Sequence, residues 1–429
     1  MTSTNVSRAP AAGSSSRTDQ FADWVRRNWQ DLLLVALLAF VGAVMAYLVP
    51  RSQSRSAWSD NDFWFDFDTH RVGLQMTTRD FIGLNTNLHP GFILFVNLPL
   101  SITGLGETQK LVIETCLMTA VWVGMFFVVL RAMGLRRLDA VIFTGIAGAS
   151  TASLFLSPMP ETYTAATATM VVLLALVAWD KDGRAHPALY VAGSIVAMGV
   201  TLINGAVAAT AILARYWWRK AVVLLAIVVV ALVALSGIQK VAYPNSQFLV
   251  GTSSETNVVS ESLFASEAGG PLRVVPAFLF HGIVAPDLGT KIKDPTGEII
   301  LVFQDSLPGS GTPAGVVAVL LWAVLLAIGV WALVRTRVAP SNLRWVLGIA
   351  PLLLLVFLLA FGQDTFTFSP LYMPLLVAIA ALGALTQYRK VVLGLGAALL
   401  LFEAVNNLVM LDRAKDLLAL IRSASALVR

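Results

Sequence analysis

The sequence predicts an all-α polytopic membrane protein, and three observations predict it. The chain has 429 residues, of which 57% are hydrophobic and only 13% charged; soluble domains carry about 25% charged residues. Its apolar stretches repeatedly approach the ~20 residues a spanning helix needs. They are continuous rather than alternating, which excludes a β-barrel and leaves helices as the spanning solution.

Apolar segments lie at about 31–49, 110–130, 139–157, 162–179, 187–203, 205–215, 221–238, 313–334, 343–361, 370–387 and 391–411. The stretch 90–105 is apolar but short and holds Pro90, Pro99 and Gly104. Basic clusters decide how it is read, because short cytoplasmic loops collect Lys and Arg. They fall at Arg26-Arg27, Arg131/Arg136/Arg137, Lys181/Arg184, Arg215/Arg219/Lys220, Arg335/Arg337/Arg344 and Arg389-Lys390. All six share one face only if 90–105 is juxtamembrane or re-entrant. The expectation is therefore about eleven spans, with the N-terminus cytoplasmic and the C-terminus outside. The segment 205–215 is short for a span, and its loss would invert everything after it.

Three regions follow. Residues 1–30 are expected to be a disordered cytoplasmic N-terminus, since 1–19 is polar and Ser-rich and no signal-peptide cleavage pattern precedes the first apolar segment. Residues 31–411 form the transmembrane domain, with a first outer loop at 50–109 and a second at 239–312. Residues 412–429 suit an amphipathic interfacial tail. The net charge of +5 sits in short clusters between apolar runs, which points to membrane anchoring and not to nucleic acid. The single cysteine, Cys116, permits no intrachain disulfide and no cysteine-based metal site.

All the polar elaboration falls on the outer face. The first loop carries Asp60, Asp62, Asp66, Asp68 and Asp80 with His70, Arg71 and the pair His89-Pro90. Carboxylates there can act as a general base, bind a divalent cation or steady positive charge at an anomeric carbon. The D-x-D spacings of Asp60/Asp62 and Asp66/Asp68 leave a divalent cation open. Solvated surface is the plain alternative for the Asp60/Asp62 end. Trp58, Phe63, Trp64, Phe65 and Phe67 interleave the acids and should hold Asp66 and Asp68 near the bilayer surface. His89, before the helix-starting Pro90, could contact a phosphate or simply mark a helix boundary. Glu161 and Tyr163 occupy a second outer turn, where a carboxylate also favours the helix dipole. Asp364 occupies a third, where turn-making would suffice. Phosphate partners would come from Arg71 first, then Arg79, Lys240, Arg273, Lys291 and Lys293, with His281 weaker. Within spans, Glu403 reads as an interhelical hydrogen-bonding group, Asn406 and Asn407 as structural or ligand groups, and Glu114 lies near an outer end.

No Walker motif, G-x-G-x-x-G, H-E-x-x-H or G-x-S-x-G occurs, so a pump, a Rossmann-type nucleotide-sugar enzyme and a zinc protease gain no support. No internal repeat suggests an inverted-repeat transporter.

The run Phe67-Asp68-Thr69-His70-Arg71-Val72 followed by Leu88-His89-Pro90 is similar to a pattern in the GT-C superfamily of integral-membrane glycosyltransferases. The likeness is to the bacterial branch of protein mannosyltransferase, aminoarabinose transferase and galacturonosyltransferase-like families. The Pro160-Glu161-Thr162-Tyr163 and Asp364-Thr365-Phe366…Ser369 turns also resemble features of that branch. Many members carry an adjacent Asp-Glu pair in the first loop; this chain has Asp60-Asn61-Asp62 and Asp66-Phe67-Asp68 instead, and the large soluble C-terminal domain of oligosaccharyltransferase-like members is not expected. The resemblance implies a GT-C-like bundle with juxtamembrane helices in the first outer loop, in the bacterial cytoplasmic membrane. It implies an inverting transfer of a sugar from a polyprenyl-phosphate donor to a glycan, lipid or protein acceptor on the periplasmic or extracellular face. The base would be Asp68, with Asp66 and Asp62 as alternatives; Arg71 and His89 would hold the phosphate, with Glu161, Tyr163 and Asp364 also binding substrate. An O-antigen polymerase or ligase, and a lipid-linked sugar transporter or flippase, are the competing expectations.

Overall fold

Helices too apolar to display a polar face must cover one another or meet lipid, and this chain does both. The computed structural model describes residues 17–51, 64–79, 86, 88–249, 269–293, 298–336, 339–361 and 364–428. Eight of its helices are long and apolar enough to cross a membrane. The all-α polytopic class therefore holds, with one two-stranded hairpin added.

Helix α1 (Arg17–Arg51) lies along a long helix, Glu107–Met133. Small residues allow the approach: Gly42 faces Val123, and Gly124 faces Val35 and Ala39. Between these two helices come α2 (Thr69–Thr77) and α3 (Phe92–Ser101), so Glu107–Met133 is α4. Helix α3 has ten residues and an internal Pro99, in keeping with a juxtamembrane segment. Gly134 closes α4 in the left-handed region, with φ 110. Helix α5 (Arg137–Ala149) runs on into a π-helical turn, Ala152–Leu156, and α6 (Thr162–Trp179) returns through the centre of the bundle.

Helices α7 (Pro187–Val200) and α8 (Gly205–Arg215) form a short hairpin. Its base is fixed because Arg215 Nε donates to Asp180 Oδ2 at 2.8 Å, beside the end of α6. Its tip meets the start of α3: Gly91 N–H donates to the Gly199 carbonyl at 2.7 Å, and Leu202 N–H to the Leu88 carbonyl at 3.0 Å. The short segment 205–215 thus does run back to the end from which α7 set out. Helix α9 (Trp218–Ala242) follows, then α10 (Pro271–Pro276) with a second π-helical turn, Ala277–His281. Strands β1 (Gly289–Lys293) and β2 (Glu298–Val302) pair antiparallel, Gly289 opposite Val302. Helices α11 (Pro313–Arg335), α12 (Ser341–Phe361), α13 (Ser369–Ala381) and α14 (Arg389–Val428) complete the bundle. Thr312 caps α11, accepting from Gly315 N–H at 3.1 Å, with Pro313 in the first turn.

Ion pairs show which helix termini share an end. Asp31 of α1 meets Arg131 of α4 at 3.0 Å, and Asp139 of α5 meets Arg389 of α14 at 2.6 Å. The turns before α6, α11 and α13 lie at the other end.

Three expectations are corrected. Helix α1 begins at Arg17, inside the segment expected to be disordered. The segment 239–312, expected as a loop, contains a β-hairpin, which an apolar-run reading does not reveal. The tail is not a separate interfacial helix but a continuation of α14 to Val428. Leu411, Ala414, Leu418 and Ile421 are buried in one cluster with Trp64, Phe65 and Phe303, so this face of α14 packs over the first loop.

Candidate functional site

The first loop is anchored by its aromatic residues. Trp64 Nε1 donates to the Phe155 carbonyl at 2.8 Å, and the Phe65 ring lies 4.7 Å from Phe303 and 5.2 Å from Phe366. Phe65 and Asp66 both take positive φ, 55 and 57. Two successive non-glycine residues there cost on the order of 1 kcal/mol each; full burial of Trp64 and Phe65 offsets that cost. The sharp turn drives Phe65 into the core while Asp66 and Asp68 stay partly open to solvent.

Asp68 precedes the first residue of α2 but makes no side-chain cap there; its carboxylate is ion-paired to Arg71 one turn on. Glu161, ninety-three residues later in sequence, sits at the start of α6 and is 5% exposed. Its Oε2 accepts from Thr162 N–H at 2.6 Å and from Thr162 Oγ1 at 3.1 Å. Burial, followed by the charge of Asp68, raises the Glu161 pKa to about 7, against the pull of Arg71 and the two hydrogen bonds. Asp68, Arg71 and Glu161 therefore share one electrostatic environment. The Tyr163 ring stacks on Phe67 at 5.7 Å and meets Phe368 edge-on at 5.4 Å, closing the floor beside them.

A second group adjoins the first through Asp66. Asp364 Oδ1 accepts from Phe366 N–H at 2.9 Å, while its Oδ2 is buried with no hydrogen-bond partner among the described residues. Burial raises its pKa to about 7; the Phe366 bond and Lys291 oppose this, and Asp66 and Asp305 reinforce it. Asp305 is ion-paired to Arg273. Gln304 holds the Asp364 turn in place, accepting from Thr365 N–H at 3.0 Å. His281 is 1% exposed and neither ring nitrogen meets hydrogen-bond geometry among the described residues; burial lowers its pKa to about 4, although the Ser306 backbone works the other way.

His89 departs from its expected part. Its Nδ1 lies 2.7 Å from the Val200 carbonyl, which can only accept, so Nδ1 carries the proton. Burial lowers its pKa to about 4, with Arg71 acting in the same direction. At neutral pH the ring is uncharged and its Nε2 has no hydrogen to give a phosphate. His89 fixes the approach of α3 to the α7–α8 tip, helped by Gln239 Nε2 donating to its carbonyl at 3.2 Å.

Most expected site residues are thus brought together: Asp66, Asp68, Arg71, Glu161, Tyr163 and Asp364 line one end of the bundle. Asp62, with Asp60 and Asp80, lies outside the described residues. Several expected cations are turned elsewhere. Lys240 Nζ donates to the Pro244 and Ser246 carbonyls at 2.6 and 2.7 Å, and Arg79 Nε to the Ala242 carbonyl at 3.2 Å. Gln304 and Asp305 were not anticipated; their partners Thr365 and Arg273 lie 61 and 32 residues away, and no local spacing marks them. Within the spans, Glu403 is fully buried with neither carboxylate oxygen partnered among the described residues, contrary to the interhelical bond expected of it. Asn407 is structural: it accepts from Ala285 N–H at 2.8 Å and donates to the Ile283 and Ala149 carbonyls at 2.8 and 2.9 Å.

Among the described residues no group of three His, Cys, Asp or Glu side chains could hold a metal ion. Beside the acidic group, an apolar cleft of about 320 Å³ runs between α1, α4, α5 and α14. Leu38, Met45, Gly148 and Leu408 line it, and it also includes Ser157 and Pro158 of the Glu161 turn. No protein-family model, curated protein or solved structure matches this chain.

Proposed function

We propose that this protein is a membrane glycosyltransferase that moves a sugar from a polyprenyl-phosphate donor to an acceptor hydroxyl at the outer face of the bacterial cytoplasmic membrane. One observation carries the reading: Asp68, Arg71 and Glu161 converge from separate segments at one end of an apolar bundle. A buried carboxylate with a raised pKa, set beside a second carboxylate and a cation, is an arrangement that favours proton transfer. The first-loop pattern that resembles the GT-C branch supplies two of the three residues. Counting α5, α7 and α8 with the eight long helices gives eleven crossings, and the basic clusters at the opposite end support an outward-facing acidic end.

In this reading a carboxylate takes the proton of the acceptor hydroxyl as its oxygen attacks the anomeric carbon. The bond to the donor phosphate breaks with inversion, and the phosphate leaves carrying its negative charge. Arg71 is the cation placed to meet that charge. A general base works best with a pKa near the operating pH, which favours Glu161 as proton acceptor. Asp68, bonded to Arg71, holds the guanidinium in place and raises the basicity of Glu161. The apolar cleft ending at the Glu161 turn suits the prenyl chain, and the acceptor is a glycan, a lipid or a protein. A polymerase or ligase that leans on outer arginines gains less support, because Arg273 is already paired with Asp305.

The test is transfer of labelled sugar from polyprenyl-phosphate donors in membranes containing wild type or Asp68→Asn. Wild-type transfer is expected, with loss in the variant. Wild-type-like activity in Asp68→Asn removes Asp68 from the site, and absence of transfer from any such donor by wild type overturns the reading.

A further inference from the structure

The opposite end of the bundle carries a second feature that sugar transfer does not use. Arg136, Gln387, Tyr388, Arg389 and Lys390 line a depression of about 340 Å³ where α5 and α14 begin. Arg389 is fixed: its Nε and Nη2 donate to Asp139 at 2.8 and 2.6 Å, and Asp139 is 1% exposed. Arg136 and Lys390 are exposed and have no carboxylate or hydrogen-bond partner among the described residues.

The local charge is unbalanced. Arg131 and Arg137 share Asp31, and Arg389 takes Asp139, so both nearby carboxylates are already engaged. The excess cations also surround the start of α14, whose first turn has no acidic residue. Cations at that helix end oppose the dipole and cost stability unless an anion joins them. Positive charge that served only to orient the chain would need no such convergence, because orientation depends on the number of Lys and Arg and not on their geometry.

The depression also lies at the level of lipid headgroups. Tyr388 is 48% exposed and sits 5.9 Å from Trp331, itself 42% exposed, and Trp345 nearby in sequence on α12 is 60% exposed. Exposed Trp and Tyr at helix ends mark the membrane–water boundary. Such a pocket is concave, cationic and bordered by lipid-facing aromatic rings, and it fits a phosphodiester whose tails stay in the bilayer.

We propose that this depression binds the headgroup phosphate of an anionic phospholipid, with Arg136 and Lys390 as its adjustable cations and Arg389 as the fixed one. The site is separate from the acidic end and does not depend on the reaction performed there.

The experiment measures phospholipid retained by the purified full chain in neutral detergent, by native mass spectrometry and by thermal stability on lipid addition. Phosphatidylglycerol, phosphatidylcholine and inorganic phosphate are compared for wild type, R136A/K390A and the control K181A/R184A, which removes exposed cations elsewhere at the same end. Wild type and the control are expected to retain phosphatidylglycerol alike, and R136A/K390A to retain it at least about tenfold less, as loss of two charge-assisted contacts implies. Phosphatidylcholine should not discriminate among the three proteins. Equal phosphatidylglycerol retention by wild type and a folded R136A/K390A overturns the proposal, as does an equal loss in K181A/R184A. Stabilisation by inorganic phosphate to the same extent as by phosphatidylglycerol overturns the lipid in favour of a free anion. If R136A/K390A fails to fold, R136Q/K390Q carries the same comparison.

Discussion

At the end of the bundle where α1 begins, Asp31 binds Arg131 and Arg137, Asp139 binds Arg389, and Asp180 binds Arg215. At the other end, Glu161 is buried and Asp364 partly so, no cation is bonded to either among the described residues, and their pKa values rise to about 7. Asp180 shows the contrast most clearly. It too is buried, which pushes its pKa up, but the Ala185 N–H, Arg215 and the Tyr190 hydroxyl outweigh burial and leave it lowered. The same residue chemistry gives a locked ion at one end and a protonatable acid at the other. Satisfied pairs hold helices in register; carboxylates held without a bonded cation are costly to the fold, and they cluster most often at functional sites.

Removing a carboxylate from each end should therefore fail in different ways. Glu161→Gln keeps the shape and the capacity to accept from Thr162 N–H, so the protein should fold normally and lose about 10²–10⁴-fold in transfer rate, the usual span for a general base. Purified variant assayed for both melting and transfer checks this; unchanged transfer would mean that Glu161 is only a helix cap. Asp180→Ala should do the reverse. It strands Arg215 and frees Ala185 N–H and the Tyr190 hydroxyl, costing about 3 kcal/mol. A lower melting temperature with normal transfer per folded molecule is the expected result.

The next contrast is in pH. Glu161 and Asp364 hold protons more tightly in the folded chain than the ~4 of a free carboxylate, so their contribution to stability is full below about pH 4 and is lost as pH rises to about 7. Melting temperatures between those limits should fall less steeply in Glu161→Gln and Asp364→Asn than in wild type. Asp180→Ala should change the opposite limb, because a lowered carboxylate stabilises above its unfolded pKa and ceases to do so in acid. The smallest effect expected is at the base of the first loop. Trp64→Phe removes one buried hydrogen bond to Phe155 and should cost about 1–3 kcal/mol, since the Phe155 carbonyl is left without that donor.

Much of this arrangement was legible in the chain. Continuous apolar runs mark the long helices, because the bilayer sets their length. Pro99 and the short run around it mark α3 as a juxtamembrane element. The aromatic residues around Asp66 and Asp68 foretold an anchored loop, and Trp64, Phe65 and Phe67 are all buried. The turns bearing Glu161 and Asp364 could be assigned to the same end by alternation of spans alone. Other features depend on contacts between distant segments. The pKa of Glu161 comes from its burial and from Asp68, which lies far away in sequence. The neutral state of His89 comes from its burial, with Arg71 acting the same way and the Val200 carbonyl opposing it. The tail of α14 has an amphipathic pattern that would suit lipid equally well, and the packing of residues 411–421 over Trp64, Phe65 and Phe303 emerges only in the fold. The β-hairpin is five residues per strand and lies in a polar loop, where no long alternation announces it.

The pH dependence of sugar transfer tests the account most directly. Wild-type rate per folded molecule, measured from about pH 5.5 to about pH 8.5 with saturating donor, should rise through about pH 7 as Glu161 gives up its proton, and Asp180→Ala should show the same profile at the temperatures where it is folded. A wild-type rate that is flat across that range, or that falls as pH rises through 7, would contradict the assignment of the acidic end as the site of proton transfer.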